Sequence, residues 1–339
     1  MVAAALSWLR GELFTFGVLA DVAIWIIAGV FAVAGLLEWY GRRANRSLTE
    51  PARLIAVIGW VGFGFFWLNL VPYFWFEHQS FVEAILAFVG FPASLYAAKV
   101  LYDGRNTLFI LSRAIAVMLF IYLPFETIPA FEIAGVAFPA PRQYLIEMTT
   151  VFTGWVIYGL GYSPTLVESP EGYMATYQWI VGEDQRYNIT VVLACTGLGS
   201  IAIFSGLIAA VRAPISRKLR ALAIAVPIIF VLNIFRTAFI SIVSGNQLMQ
   251  WYPEAVLFLF GETNELRVSF LLSDRVISQI LAVVALMGIA YLVARELPEL
   301  LTVLEDVLYL LTGNEYDLQE ALELPREPAF EQPETRRAD

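Results

Sequence analysis

Cys195 is the only thiol in the chain, and Thr196 and Gly197 follow it directly inside an apolar run. A thiol in apolar surroundings stays protonated and inert, because burial disfavours the thiolate; neighbouring cations reverse this and bring a cysteine pKa from about 8.5 into the range of about 3.5 to 7.5. Two arginines are candidates for that role. Arg236 stands three residues after Asn233, and Arg275 stands directly after Asp274. Two guanidiniums could hold a thiolate and then stabilise the oxyanion formed when it attacks a carbonyl. Asn233 shares a helix face with Arg236 and could orient the guanidinium. Since Arg is always charged, a leaving amine must take its proton from elsewhere: from Asp274, a tyrosine or water.

Each residue taken singly has a plainer reading. A lone cysteine in a membrane helix is ordinarily packing, and an arginine near a helix end can snorkel to the headgroups. Arg113, Glu126 and Glu83 lie in apolar segments, where pairing between helices is the expected role. His78, the single histidine, falls on a short outer loop and is expected to be solvated, although it could serve as a base.

The elements that must position these residues are membrane spans. Apolar residues make up 59% of the chain and charged residues 15%, and the mean hydropathy is +0.70. Several runs approach the roughly 20 apolar residues needed to cross a bilayer. Hydropathy places spans near 17–39, 54–76, 81–101, 107–128, 189–211, 221–243 and 276–294. The expected fold class is therefore all-α, a polytopic transmembrane bundle of about seven spans. The start of the chain lacks the features of a removable signal peptide.

Basic residues mark cytoplasmic loops. The clusters Arg42-Arg43-Arg46, Lys99 with Arg105, Arg212-Arg217-Lys218-Arg220, and Arg295 put the N-terminus outside and the C-terminal tail inside. Parity then leaves the stretch 144–162 as an interfacial or re-entrant helix, or as an ordinary span if one cluster is misjudged. Residues 163–188 and 245–274 are expected to be outer loops. On this layout Cys195 lies about six residues down its span, roughly 9 Å at 1.5 Å per residue. Arg236 lies at a similar depth and Arg275 at a helix mouth, so three helices gather the candidate residues near the outer face. An arginine inside a span costs about 2.5 kcal/mol or more and is a functional candidate by default.

The formal charge of −9 is unevenly placed: Glu296 to Asp339 holds 12 acidic and 3 basic residues. Residues 1–295 are expected to form the transmembrane catalytic domain and 296–339 an acidic cytoplasmic tail, helical near Leu300–Leu311 and disordered from Leu324. Only Lys99 and Lys218 are lysines. An acidic, Lys-poor chain fits a high-salt cytoplasm, and a GC-rich genome would also favour Arg over Lys. One cysteine excludes an internal disulfide and a Cys-cluster metal site; no cofactor, metal or nucleic-acid partner is expected.

Ala194-Cys195-Thr196-Gly197 resembles the Ala-Cys-Ser/Thr-Gly signature of the exosortase and archaeosortase family, and Asn233-Ile234-Phe235-Arg236 resembles its Asn-x-x-Arg motif. Arg275 falls where that family has its third catalytic residue, mostly His in bacterial members and Arg in one archaeal subgroup. The resemblance implies a Cys-dependent membrane transpeptidase with Cys195 as nucleophile and Arg236 and Arg275 assisting it. The implied substrates are secreted proteins, such as surface-layer glycoprotein, ending in a Pro-Gly-Phe motif, a hydrophobic segment and a basic tail, with an archaeal membrane lipid as acceptor. Two alternatives remain open on the residues alone. A transporter would spread its charges through the bilayer and commonly carry repeated halves, whereas here the key residues cluster and no repeat is evident. A thiol-dependent lipid acyltransferase would share the chemistry and differ in substrate.

Overall fold

A computed structural model describes residues 18–44, 48–77, 81–133, 135–182 and 185–321; His78 and the tail from 322 lie outside them. The described chain is dominated by helices: α1 (Val18–Arg43), α2 (Thr49–Pro72), α3 (Phe81–Tyr102), α4 (Leu108–Thr127), α5 (Pro141–Gly159), α6 (Leu198–Ala210), α7 (Ile215–Gly245), α8 (Pro253–Phe260), α9 (Ser278–Glu296) and α10 (Leu301–Thr312). Among the described residues six helical segments are long and apolar enough to cross a membrane: Ala20–Gly41, Thr49–Phe76, Glu83–Tyr102, Leu108–Thr127, Ile215–Gly245 and Glu265–Glu296. The all-α polytopic class holds. Helix α5 is not one of the six.

Two expectations change in detail. The stretch read as a span over 189–211 is the end of a strand, a 3-10 turn at Leu193–Thr196 and the 13-residue α6. The stretch read as an outer loop over 163–188 contains a three-stranded antiparallel sheet, β3 (Thr165–Glu168), β4 (Met174–Val181) and β5 (Gln185–Thr190), after a small exposed hairpin of β1 (Phe131–Ile133) and β2 (Val136–Phe138). Strand β4 buries Ala175, Tyr177 and Trp179 on one face, and Thr176 on the other face is buried as well.

The chain divides into two compact units. The first comprises Met1–Met118, Ile203–Ile224 and Tyr291–Asp339. Its first helices pack through aromatic edges, with Phe31 against Trp60 at 5.5 Å between centroids. Trp60 donates from Nε1 to Ser112 Oγ at 2.9 Å. The expected pairing of Arg113 is present, since the buried Glu38 accepts from Arg113 at 3.4 Å and from Arg212 at 3.1 Å. A buried carboxylate is tolerable only when paired in this way. The first part of the acidic tail is held as well: Asp306, 2% exposed, accepts from Arg105 at 2.8 Å and Thr107 at 2.9 Å.

The second unit, Leu119–Ala202 with Ala225–Ala290, contains the sheet and the candidate residues. The sheet is braced on two sides. Tyr177 donates its hydroxyl to the Thr150 carbonyl on α5, and Trp179 donates from Nε1 to Ser241 Oγ on α7 at 3.2 Å. Gly245 ends α7 beneath Trp179, where an added Cβ would run into the ring. Strand β5 pairs along β4 and runs on through Val191, whose amide donates to the Ala175 carbonyl at 2.8 Å. The chain is thereby delivered, already fixed, to the turn that bears the cysteine.

Candidate active site

The turn Leu193–Thr196 is tied at each residue that matters. The Cys195 amide donates to the Val192 carbonyl at 2.8 Å. Thr196 donates its hydroxyl to the Leu193 carbonyl at 2.7 Å, and the same oxygen accepts from the Leu198 amide at 3.3 Å, which caps the start of α6. Gly197 then takes the left-handed conformation at φ +76°. A Cβ there would meet Asn233 Cβ at 3.2 Å and Cγ at 3.3 Å, so both the backbone angle and the space call for glycine.

That close approach lets α7 grip the turn. Asn233 donates from its side-chain amide to the Cys195 carbonyl, and Thr237 donates to the same oxygen at 3.4 Å and to the Asn233 carbonyl at 2.9 Å. Asn233 therefore positions the cysteine's backbone and does not hold the Arg236 guanidinium, the role expected from their shared face. Thr237 is a residue that sequence reasoning missed; its signal was the i, i+4 spacing from Asn233.

Arg236 donates from Nη2 to Asp274 Oδ1 at 2.6 Å, and Arg275 Nε lies 3.6 Å from Asp274 Oδ2. One carboxylate thus faces both guanidiniums. Asp274 and Arg275 sit in a π-helical turn, Leu271–Ile277, within the continuous segment Glu265–Glu296 and not at a helix mouth. The side chains of Arg236 and Arg275 are 25% and 27% exposed, so the fold buries them to the same degree.

The cysteine is partly exposed and packs against the apolar cluster that includes Ile157, Tyr177, Trp179 and Val191. It lies on the turn before α6, outside the helices long enough to span. Burial there pushes the thiol above its ordinary value; the backbone at Val192 and the charge of Arg236 pull it down, and Asp274 pushes it further up. In the resting arrangement burial prevails, partly because Asp274 offsets the cation the thiolate would need. Beside the polar cluster opens a cavity of about 580 Å³, bordered by Gly197, Asn233 and Arg236 and continued along α9 by Ser278, Ala282 and Ala285. Among the described residues no group of three or more His, Cys, Asp and Glu could hold a metal ion.

The arrangement places a thiol, a fixed backbone turn, two guanidiniums and one carboxylate on three elements of a single unit. It suits attack on a carbonyl followed by oxyanion stabilisation. A family profile described as transmembrane exosortase (Exosortase_EpsH) matches residues 8–263. Archaeosortase A of Haloferax volcanii is 53% identical over 308 residues, covering 91% of this chain and 99% of that protein. Archaeosortase A of Natronomonas pharaonis is 40% identical over 293 residues, covering 85% and 88%. No solved structure matches.

Proposed function

The chain belongs to the transmembrane exosortase family, and from that premise we propose how it works as a multi-pass membrane cysteine transpeptidase that processes C-terminal sorting signals of secreted proteins. Cys195 attacks the scissile carbonyl, its sulfur forming a thioester with the protein as the C–N bond breaks and the C-terminal fragment leaves as an amine. Arg236 and Arg275 bind the oxyanion of the tetrahedral intermediate, a role worth about 3 kcal/mol for a well-placed donor. We assign the relay of the thiol proton toward the leaving amine to Asp274, the carboxylate that faces both guanidiniums. An acceptor hydroxyl then attacks the thioester and regenerates the thiol.

The observation that carries this reading is the pair of contacts from neighbouring turns of α7: Asn233 holds the Cys195 carbonyl while Arg236 engages Asp274. Asn233, Thr196 and Gly197 act as positioning residues for the thiol. The finer parts of the proposal are a Pro-Gly-Phe motif followed by a hydrophobic segment and a basic tail in the substrate, and an archaeal membrane lipid as acceptor. We place the active site near the extracellular face, residues 1–295 as the catalytic domain and 296–339 as a cytoplasmic appendage.

The test is the intact mass of a candidate substrate's C-terminus, with and without this protein. Cys195→Ala and Cys195→Ser are expected to leave the substrate full length while the protein still inserts. Normal processing by Cys195→Ala would remove the nucleophile assignment. For sidedness, cysteines introduced at the exposed positions Glu168 and Thr263 in a Cys195→Ala background are expected to label with an impermeant maleimide in intact cells.

A further inference from the structure

Helix α9 lines the cavity with Ser278, Ala282 and Ala285, flanked by the larger Leu281, Val284, Leu286 and Ile289. The spacing of the first three, i, i+4 and i+7, puts three small side chains on one face. Small residues on a membrane helix let another backbone approach closely, which is how helices pack in lipid. A bare stripe of this kind has no occupant by itself, but Ser278 adds an independent sign. Its residue is 2% exposed, it lines the cavity, and its Oγ has no hydrogen-bond partner among the described residues. A buried hydroxyl without a partner costs about 1–3 kcal/mol. It sits one helical turn beyond Asp274 and Arg275, so the unused group adjoins the reacting centre.

We propose that this cavity receives the apolar helix of the sorting signal, and that Ser278 accepts a hydrogen bond from that helix's first turn. The inference rests on the function proposed above. In a substrate whose apolar segment begins just after the cleaved bond, the first four amides of that segment have no partner inside their own helix. In an apolar medium each such group costs several kcal/mol. The cavity begins at Gly197, Asn233 and Arg236 and continues past Ser278 to Ala282 and Ala285, matching a chain that leaves the reacting centre and becomes helical. A lipid chain would need neither the hydroxyl nor the small-residue face. The remaining outward positions of α9, such as Ile280, Val283 and Met287, are 61%, 58% and 69% exposed and large, as suits contact with lipid.

Two measurements test this on the full chain in membranes. First, Ala285→Cys in a Cys195→Ala background is oxidised with copper phenanthroline together with uncleaved substrates bearing single cysteines along the apolar segment. Cross-linking is expected at positions three or four residues apart, and is expected to be lost when the cysteine is moved to Val283. Second, Ser278→Ala is expected to raise KM about tenfold, the value of one net hydrogen bond, with kcat nearly unchanged and Ser278→Thr restoring KM. If the Cys195 protein processes the substrate while Ala285→Cys gives no periodic cross-link, the inference is overturned and the catalytic reading stands. If the Cys195 protein processes nothing, the catalytic reading itself has failed. An unchanged KM in Ser278→Ala would remove the capping role.

Discussion

Gly197→Ala puts the geometry of the cysteine turn to a quantitative test. The residue sits at φ +76°, where a side chain costs about 1–2 kcal/mol. The new Cβ would also stand 3.2 Å from Asn233 Cβ and 3.3 Å from its Cγ, so the asparagine must give way by a few tenths of an ångström. That asparagine holds the Cys195 carbonyl, and loosening the bond adds about 1 kcal/mol. The sum is about 2–3 kcal/mol, borne by the turn that aims the thiol. At about 1.36 kcal/mol per factor of ten, processing should slow by roughly 30- to 160-fold. The assay is the rate of sorting-signal removal in proteoliposomes at matched protein amounts. Gly199→Ala is the control, because a Cβ there meets nothing within 4 Å and its φ is not positive; it should process at the normal rate. Wild-type turnover in Gly197→Ala, or an equal loss in Gly199→Ala, would refute the reasoning.

Other outcomes follow from the same geometry. Arg236→Lys should lose about 3 kcal/mol of transition-state stabilisation, since Lys keeps the charge and loses the planar fork, and Arg275→Lys should lose a comparable amount because the two guanidiniums share Asp274 and are equally exposed; kcat/KM for both variants decides this. Because the Cys195 thiol is held above its ordinary value, its thiolate fraction, and with it the rate of iodoacetamide alkylation, should keep rising as pH climbs past about 8.5. Asp274→Asn removes one upward push, so the alkylation profile should move to lower pH while processing falls for want of the proton relay. Gly245→Ala should lower thermal stability by about 1–3 kcal/mol, the usual range for overpacking, since its Cβ would run into the Trp179 ring; a melting curve in detergent measures it.

Much of the site was legible from residue type and spacing. Cys195, Asn233, Arg236 and Asp274 do come together, although offsets from the ends of apolar runs do not explain it: Cys195 sits on a turn and Asp274 inside the continuous segment Glu265–Glu296. The route by which Cys195 arrives was not legible. Ile189 to Val192 is apolar in either a strand or a helix, and a short apolar run does not distinguish the two. The alternation of Ala175, Tyr177 and Trp179 was present in the sequence, but strands of four, eight and six residues are faint beside 20-residue helices. Asn233 and Arg236 share a face, yet the asparagine's partner is a carbonyl 38 residues away in sequence, which no local pattern reveals. The widened turn around Asp274 has no compositional mark at all.

That turn has a consequence for how the protein can vary. Leu271–Ile277 winds with π geometry before α9 resumes the ordinary pitch, and such a bulge amounts to one residue inserted into a helix. The widened turn absorbs that residue, so the helix on either side keeps its phase. Removing one residue inside Leu271–Ile277 would let the bulge relax into an α-helix with the flanking faces still nearly aligned, and the change would fall on the bulge itself, where Asp274 and Arg275 sit. The regular helix beyond Ser278 has no such buffer: one residue more or less there would swing everything after it by about 100°, and Ala282 and Ala285 would leave the face they share with Ser278 while every side chain kept its identity.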